Sequence, residues 1–237
     1  MHRFLVSFPL RDKLILTRGD LFHQITHVFR AKKGEKMIFF ISGGVDTIYE
    51  IWDISKREIL FKKCAEIPKV PHKRLELHVF QAYPNKISTM ELIVQKLVEL
   101  GVKKITFFPS EHSQIQIIPV QKQERIVTIA KEALEQSGGN EVVDIAYSSE
   151  KLQIIIPKMT MIHHIFGHQA GESLNAAIVK QKSLALWIWP EGGWSSSETS
   201  FLSEQGTTLW SFNDNVLRLE TAAILWAGIL FYSQNLK

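Results

Sequence analysis

The stretch Ser183-Leu184-Ala185-Leu186-Trp187-Ile188-Trp189, continuing into Pro190-Glu191-Gly192-Gly193-Trp194-Ser195, decides how this chain is read. The first seven residues form a short apolar run of the kind a fully buried strand needs. Two glycines directly after it let the backbone approach a ligand closely, because no Cβ intervenes. Ser195-x-x-Glu198 is a capping box that opens a helix. An apolar strand, a glycine loop and a capped helix together describe one edge of an open α/β sheet, the edge where such sheets hold ligands. The loop has neither the GxGxxG nor the GxxxxGK[ST] spacing, so it is not a dinucleotide fingerprint or a triphosphate loop.

Working outward, Leu75 to Ala82 alternates as a strand, and Ser88 to Leu100 carries Met90, Ile93, Val94 and Leu97 at helical spacing before Gly101. Ile105 to Phe108 is a further strand, and Lys122 to Gln136 a second helix closed by Ser137-Gly138-Gly139. Met159 to Ile165 and Thr207 to Phe212 also read as strands, and Arg218 to Tyr232 as the last helix. Strands alternating with helices predict a mostly parallel α/β sheet.

The first seventy residues are patterned differently. Apolar runs at Phe4–Val6, Leu14–Leu16, Met37–Ile41, Ile48–Trp52 and Ile59–Phe61 are separated by turn residues such as Lys33-Gly34 and Ser42-Gly43-Gly44. That punctuation predicts a small antiparallel barrel, interrupted by one helix capped by Asp20. Pro68, Pro71 and the basic run Lys69 to Arg74 read as a linker. Two domains follow, 1–72 and 73–237.

Composition narrows the classes. The chain has 237 residues, 45% hydrophobic and 22% charged, with a net charge of +4. These proportions exclude disorder for most of the chain, and a charge of +4 does not by itself point to nucleic acid. The single Cys64 excludes a disulfide framework and any multi-cysteine zinc site, and fits a cytoplasmic protein. The start MHRFLVSFPLRDK lacks a cleavable signal pattern, and the apolar part of the last helix, Ala222 to Tyr232, is short of the roughly 20 residues that span a bilayer. No membrane association is expected. His163-His164-x-x-x-His168 places adjacent imidazoles on opposite faces of a strand with no carboxylate or cysteine at ligand spacing, so no metal site is expected.

A second loop, Val216-Leu217-Arg218-Leu219-Glu220-Thr221-Ala222, opens the last helix. With Pro190-Glu191-Gly192-Gly193 it resembles the paired C-terminal motifs of the ribosomal RNA small subunit methyltransferase E family, a SPOUT-class group with Gly-Pro-Glu-Gly-Gly and, about twenty residues on, Leu-Gly-x-Arg-x-Leu-Arg-x-Glu-Thr-Ala. Other fragments are similar in the same order: the helix ending Glu99-Leu100-Gly101, the turn Ser110-Glu111-His112-Ser113, the helix end Glu132-Ala133-x-Glu135-Gln136-Ser137, and His23 with Val28-Phe29-Arg30.

The resemblance implies a PUA-like RNA-binding β-barrel at 1–72 and a SPOUT α/β domain with a deep trefoil knot at 73–237. It implies S-adenosylmethionine as cofactor, held by Ile188, Trp189, Pro190, Glu191, Gly192 and Gly193 from one loop. Ser211, Phe212, Asn213, Val216, Leu217 and Thr221 would hold it from the other. Arg218 and Glu220 are the implied catalytic residues, and Arg3, Arg30, Lys96, Glu111 and His112 the implied RNA contacts. The implied partners are 16S ribosomal RNA, methylated at N3 of a uridine, and a second copy of the chain, with no DNA.

Four positions depart from the family pattern. Trp189 stands at the first glycine of Gly-Pro-Glu-Gly-Gly; Phe212-Asn213-Asp214-Asn215 replaces Leu-Gly-x-Arg; His112 replaces an arginine; Gly139 stands where arginine is usual. Lost arginines weaken bidentate phosphate contacts. The alternative implied by those losses is a SPOUT-fold RNA-binding protein with weakened or absent catalysis.

Overall fold

The computed structural model describes residues 1–68, 75–159, 162–172, 181–205, 207–211 and 215–234, with the side chains of 169, 170, 172 and 208 left undescribed. The chain divides into two compact units, Met1–His72 with Leu134–Val142, and Lys73–Ala133 with Val143–Lys237. The basic run from Lys69 to Arg74 lies outside the described residues.

In the first unit, β1 (Arg3–Leu5), β2 (Lys13–Thr17), β3 (Lys36–Phe40), β4 (Asp46–Ile54) and β5 (Glu58–Ile67) form one sheet in the order β1-β3-β4-β5-β2. All five predicted apolar runs are strands. The expected antiparallel barrel needs two corrections: β1 pairs with β3 in parallel, and the order has two free ends, so the sheet curls without closing. Register shifts between Ile48 and Tyr49 and between Ile51 and Asp53 supply the bend in β4. The core inside the curl is aromatic, with Phe4, Tyr49 and Phe61 buried around Phe39. Asp20 does not cap the helix as expected. The cap is Gly19, Asp20 is the first residue of α1 (Asp20–His23), and the helix widens at once into a π-helical segment, Gln24–Val28.

The second unit is a six-stranded parallel sheet, with β6 (Glu76–Ala82), β7 (Lys104–Phe108), β8 (Asp144–Tyr147), β9 (His163–Glu172), β10 (Ser183–Ile188) and β11 (Thr208–Trp210) in the order β11-β9-β10-β6-β7-β8. Every described pairing in it is parallel. Its helices are α2 (Ile87–Leu100), α3 (Val120–Ser137, of which the residues from Leu134 on belong to the first unit), α4 (Leu152–Ile155), α5 (Ser196–Glu204) and α6 (Leu219–Ser233). Alternation explains the two faces. Phe80, Ala185 and Trp187 pack with Leu152, Ile155 and Leu202 from α4 and α5, and the Phe80 and Trp187 rings stack at 4.0 Å. Residues of opposite parity, Leu77, Val79, Leu184 and Leu186, are fully buried on the face that carries α2 and α6. A parallel sheet covered on both faces must read as continuous apolar runs, which is why β10 has the composition it has.

Two segments differ from expectation. Met159 to Ile165 is not a strand throughout: α4 and a 3-10 turn at Ile156–Lys158 precede it, and β9 starts only at His163. β8 was not foreseen, because Asp144–Tyr147 is a four-residue edge strand with no buried residue to make an apolar run. Trp189 lies one residue past the end of β10.

Candidate functional site at the carboxyl edge of the parallel sheet

In the parallel sheet all strands end on one edge, and there β6, β7 and β10 release three loops side by side. The β10 loop closes as a turn, Gly193 N–H donating to the Pro190 carbonyl at 2.9 Å, with Gly193 at φ +72°, a backbone conformation side chains disfavour. Gly192 is required for contact: a Cβ there would stand 2.9 Å from the Cβ of His112 on the β7 loop.

Polar groups lock the three loops together. The Nδ1–H of His112 is shared between the carbonyls of Gly192 and Gly193, both at 3.1 Å. Carbonyls only accept, so this contact fixes the proton on Nδ1 and leaves Nε2 as the open nitrogen of the neutral ring. Glu191 accepts from the Asn85 backbone N–H on the β6 loop at 2.9 Å, and Asn85 Oδ1 accepts from Gln114 N–H at 3.3 Å. Glu191 thus orients the backbone of the β6 loop.

Glu198, the helix member of the capping box, does more than cap. It is fully buried, and one carboxylate oxygen accepts from Ser110 Oγ at 2.7 Å and Glu111 N–H at 3.1 Å, while the other accepts from Ser195 N–H at 2.9 Å. It ties the start of α5 to a turn 87 residues earlier in the chain. Sequence reading found the cap and missed this anchor. Glu111 is exposed and accepts from Ser197 Oγ at 2.8 Å, and hydrogen bonds from the Ser195 and Ser197 hydroxyls hold its carboxyl below the usual carboxylate range.

Trp189 and Trp194 converge on Gly167 of β9. A Cβ on Gly167 would lie 2.2 Å from Cζ3 of Trp189, and the Trp194 indole N–H donates to the Gly167 carbonyl at 3.2 Å. Deeper in the same region, His164 Nδ1 accepts from the Trp187 indole and its Nε2–H donates to the Met159 carbonyl, while burial lowers its pKa. No group of three potential metal ligands is found among the described residues.

The remaining expected residues are distributed as follows. Ile188 and Pro190 are buried; Ser211 and Leu217 are half-buried; Val216, Arg218 and Thr221 are exposed; Glu220 is half-buried in the first turn of α6, whose N-cap is Arg218. Phe212 and Asn213 lie outside the described residues. Lys96 is paired with Glu99 on α2 at 2.9 Å. In the first unit Arg30 is exposed at φ +52°, whereas the Arg3 guanidinium is buried against Asp46 at 2.8 Å and donates to the Leu134 carbonyl. Arg3 is a structural residue of its unit, since a guanidinium so engaged is not presented to a phosphate.

A sheet edge with a glycine turn and braced loops is a small-molecule site in form. Two buried polar atoms without a partner among the described residues, Gln81 Oε1 at the end of β6 and Trp210 Nε1 at the end of β11, stand at the ends of strands on that same edge. Residues 71–231 match the model of the RNA methyltransferase domain family.

The chain belongs to the RNA methyltransferase family. It is 28% identical to the ribosomal RNA small subunit methyltransferase E of Bacillus subtilis, over 92% of this chain and 90% of that one. To the protein of the same name from Aquifex aeolicus it is 29% identical, over 97% and 99%. Among solved structures, a methyltransferase of Legionella pneumophila in complex with S-adenosylmethionine shares the fold with a TM-score of 0.85 at 24% identity, covering 96% of each chain. The small subunit methyltransferase E of Neisseria gonorrhoeae does so at 0.84 and 21%, covering 97% and 96%. The RNA methyltransferase family match covers 71–231, the segment that carries every loop of the braced edge.

Proposed function

We propose that this RNA methyltransferase uses S-adenosylmethionine to methylate N3 of a uridine in 16S ribosomal RNA. The observation that carries the reading is the braced glycine turn: Gly192 and Gly193 held by His112, with Glu198 buried beneath, at the carboxyl edge of a parallel sheet. The names of the full-length relatives support the substrate, and the S-adenosylmethionine in the Legionella and Neisseria structures supports the cofactor.

Bound there, the cofactor would supply an activated methyl group on a sulfonium, so the chain's own work is binding, orientation and charge. Backbone groups of 188–193 and 211–217, with Thr221, would hold it, and Gln81 Oε1 and Trp210 Nε1 are buried polar atoms suited to meet its polar edge. Arg218, exposed at the N-cap of α6, would stabilise the uridine anion that develops as the N3 proton leaves. Glu220, in the first turn of the same helix, would orient the base. Glu111 and His112 at the loop edge, Lys96 and Arg30 would contact RNA, which must present the base splayed from its stack. The proposal includes the knotted path, a cytoplasmic location and a homodimer. Among the described residues no helix is long and apolar enough to cross a membrane.

A second reading, a family member with weakened catalysis, is favoured by Trp189, whose ring packs on Gly167 within the cofactor edge. Calorimetric titration of S-adenosylmethionine separates the two. Binding with methyl transfer to small-subunit RNA supports the first; no detectable binding at millimolar cofactor removes it.

A further inference from the structure

Gln81 is the one polar residue on a face of β6 that is otherwise apolar. Leu77 and Val79 precede it at the same parity, and all three are fully buried on the side that carries α2 and α6. Its strand neighbours at that level are Ile188 of β10 and Phe107 of β7, both fully buried. A carboxamide in such company is expected to have its hydrogen bonds met.

Half of the amide is accounted for. Nε2 donates to the Ala82 carbonyl at 3.0 Å, and a carbonyl only accepts, so the nitrogen and oxygen ends of the amide are assigned. Oε1 is the other end, and it has no hydrogen-bond partner among the described residues. By contrast His78 and Thr106, polar residues on the opposite face of the same two strands, meet each other at 2.9 Å. An acceptor buried without a donor costs stability that a leucine of similar size would not.

Position narrows what the donor can be. Gln81 is one residue from the carboxyl end of β6, and its register partner Ile188 is the last residue of β10 and the first of the loop proposed to hold the cofactor. The helix α6, whose first turn carries Thr221, packs on β6 and β10. The neighbours narrow it further. An ammonium placed there would lose its water and gain no counter-charge from Gln81, Ile188 or Phe107. Ribose hydroxyls bring lone pairs that apolar neighbours leave unmet. A neutral N–H carried on a flat apolar ring meets both conditions, and in S-adenosylmethionine that group is the adenine amine.

We propose that Gln81 is a specificity residue of the cofactor site, its Oε1 accepting from the exocyclic amine of the adenine. The assignment rests on the S-adenosylmethionine reading above and adds the residue that recognises the base. It makes Gln81 reject a purine with a carbonyl in place of the amine, because two facing acceptors leave both unmet.

Calorimetric titration of the full chain with S-adenosylhomocysteine and with S-inosylhomocysteine tests this, the second ligand having a carbonyl oxygen where the first has the amine. The wild type should prefer the adenosyl ligand by roughly 10- to 100-fold, the range set by leaving a buried acceptor unmet. Gln81→Leu should bind the adenosyl ligand about 2- to 10-fold more weakly, the worth of one hydrogen bond. It should bind the inosyl ligand better than the wild type does, so that the two affinities come within about threefold. Gln81→Met, unbranched like glutamine, should behave in the same way and separates the lost acceptor from a packing defect. The wild-type comparison needs no variant, and equal affinity for the two ligands overturns the proposal. Discrimination that persists in both variants overturns it as well, since the amine is then read by other groups. No binding of either ligand or of S-adenosylmethionine at millimolar concentration removes the cofactor reading itself; binding without the expected discrimination leaves that reading standing and removes this one alone.

Discussion

Trp189 and Gly167 are shaped for each other: the indole of Trp189 occupies the place a side chain at position 167 would take, 2.2 Å from an ideal Cβ. The tryptophan that departs from the family motif is therefore matched by a glycine on the neighbouring strand. Gly167→Ala should destabilise the chain by about 1–3 kcal/mol through overpacking, a fall in Tm of roughly 2–4 °C per kcal/mol. Adding Trp189→Gly, which restores the motif glycine, should recover most of that loss. A thermal-melt double-mutant cycle checks it, and additive effects would show that the two do not meet.

Glu198→Ala removes the acceptor of Ser110 Oγ, Glu111 N–H and Ser195 N–H at once. Buried donors left without partners cost about 1–3 kcal/mol each, so a loss of about 3 kcal/mol or more is expected in urea unfolding. Glu198→Gln keeps one acceptor oxygen and should lose less.

The visible and hidden parts of this site differ in sequence distance. Ser195-x-x-Glu198, the glycine turn and the helix stop at Gly101 are local signals, and all three are realised, with Gly101 at φ +85°. The link from Glu198 to Ser110 spans 88 residues, and nothing in either neighbourhood announces it. β8 escaped notice because an exposed-edge strand of four residues lacks the apolar run that marked β10. The strand expected at Met159 to Ile165 begins only at His163, because Met159 closes the 3-10 turn of Ile156–Lys158 as its C-cap, and a short apolar run carries no signal for where a turn ends and a strand starts. The curl of the first sheet was legible as short punctuated strands, but its parallel β1–β3 pair was not, since periodicity carries no strand direction.

His112→Ala releases the carbonyls of Gly192 and Gly193 from their shared donor. The ring is exposed, so the urea midpoint should hold. One hydrogen bond is worth about 0.5–1.5 kcal/mol, and loosening the turn should weaken S-adenosylmethionine binding by roughly 2- to 10-fold in calorimetry.

His78 makes stability depend on pH. Burial, then the charge of Lys104, pushes its pKa down to about 3, and its Nε2 lies 2.9 Å from Thr106 Oγ1. Its neutral form is the folded one, while the unfolded chain takes up a proton near pH 6.5. The contribution is whole above that pH and is lost progressively as pH falls from about 6.5 towards 3. From pH 7 to pH 5 the wild type should lose about 1–2 kcal/mol through this group in urea unfolding, and His78→Gln should flatten that slope.

Arg218 sits at the N-cap of α6, and its carbonyl, not its side chain, accepts the Ala222 N–H at 2.9 Å. Truncating the exposed side chain therefore leaves the helix start intact. The guanidinium's proposed work is confined to the moment when negative charge develops on the uridine base, so it should stabilise the transition state and not the bound cofactor. Arg218→Ala is expected to lower methyl transfer to small-subunit RNA by about 10²–10³-fold while the calorimetric affinity for S-adenosylmethionine stays within about twofold. Arg218→Lys keeps the charge but not the planar fork and should recover part of the rate. Tritium transfer measured at saturating cofactor separates these outcomes, and full turnover in the alanine variant would take Arg218 out of the reaction.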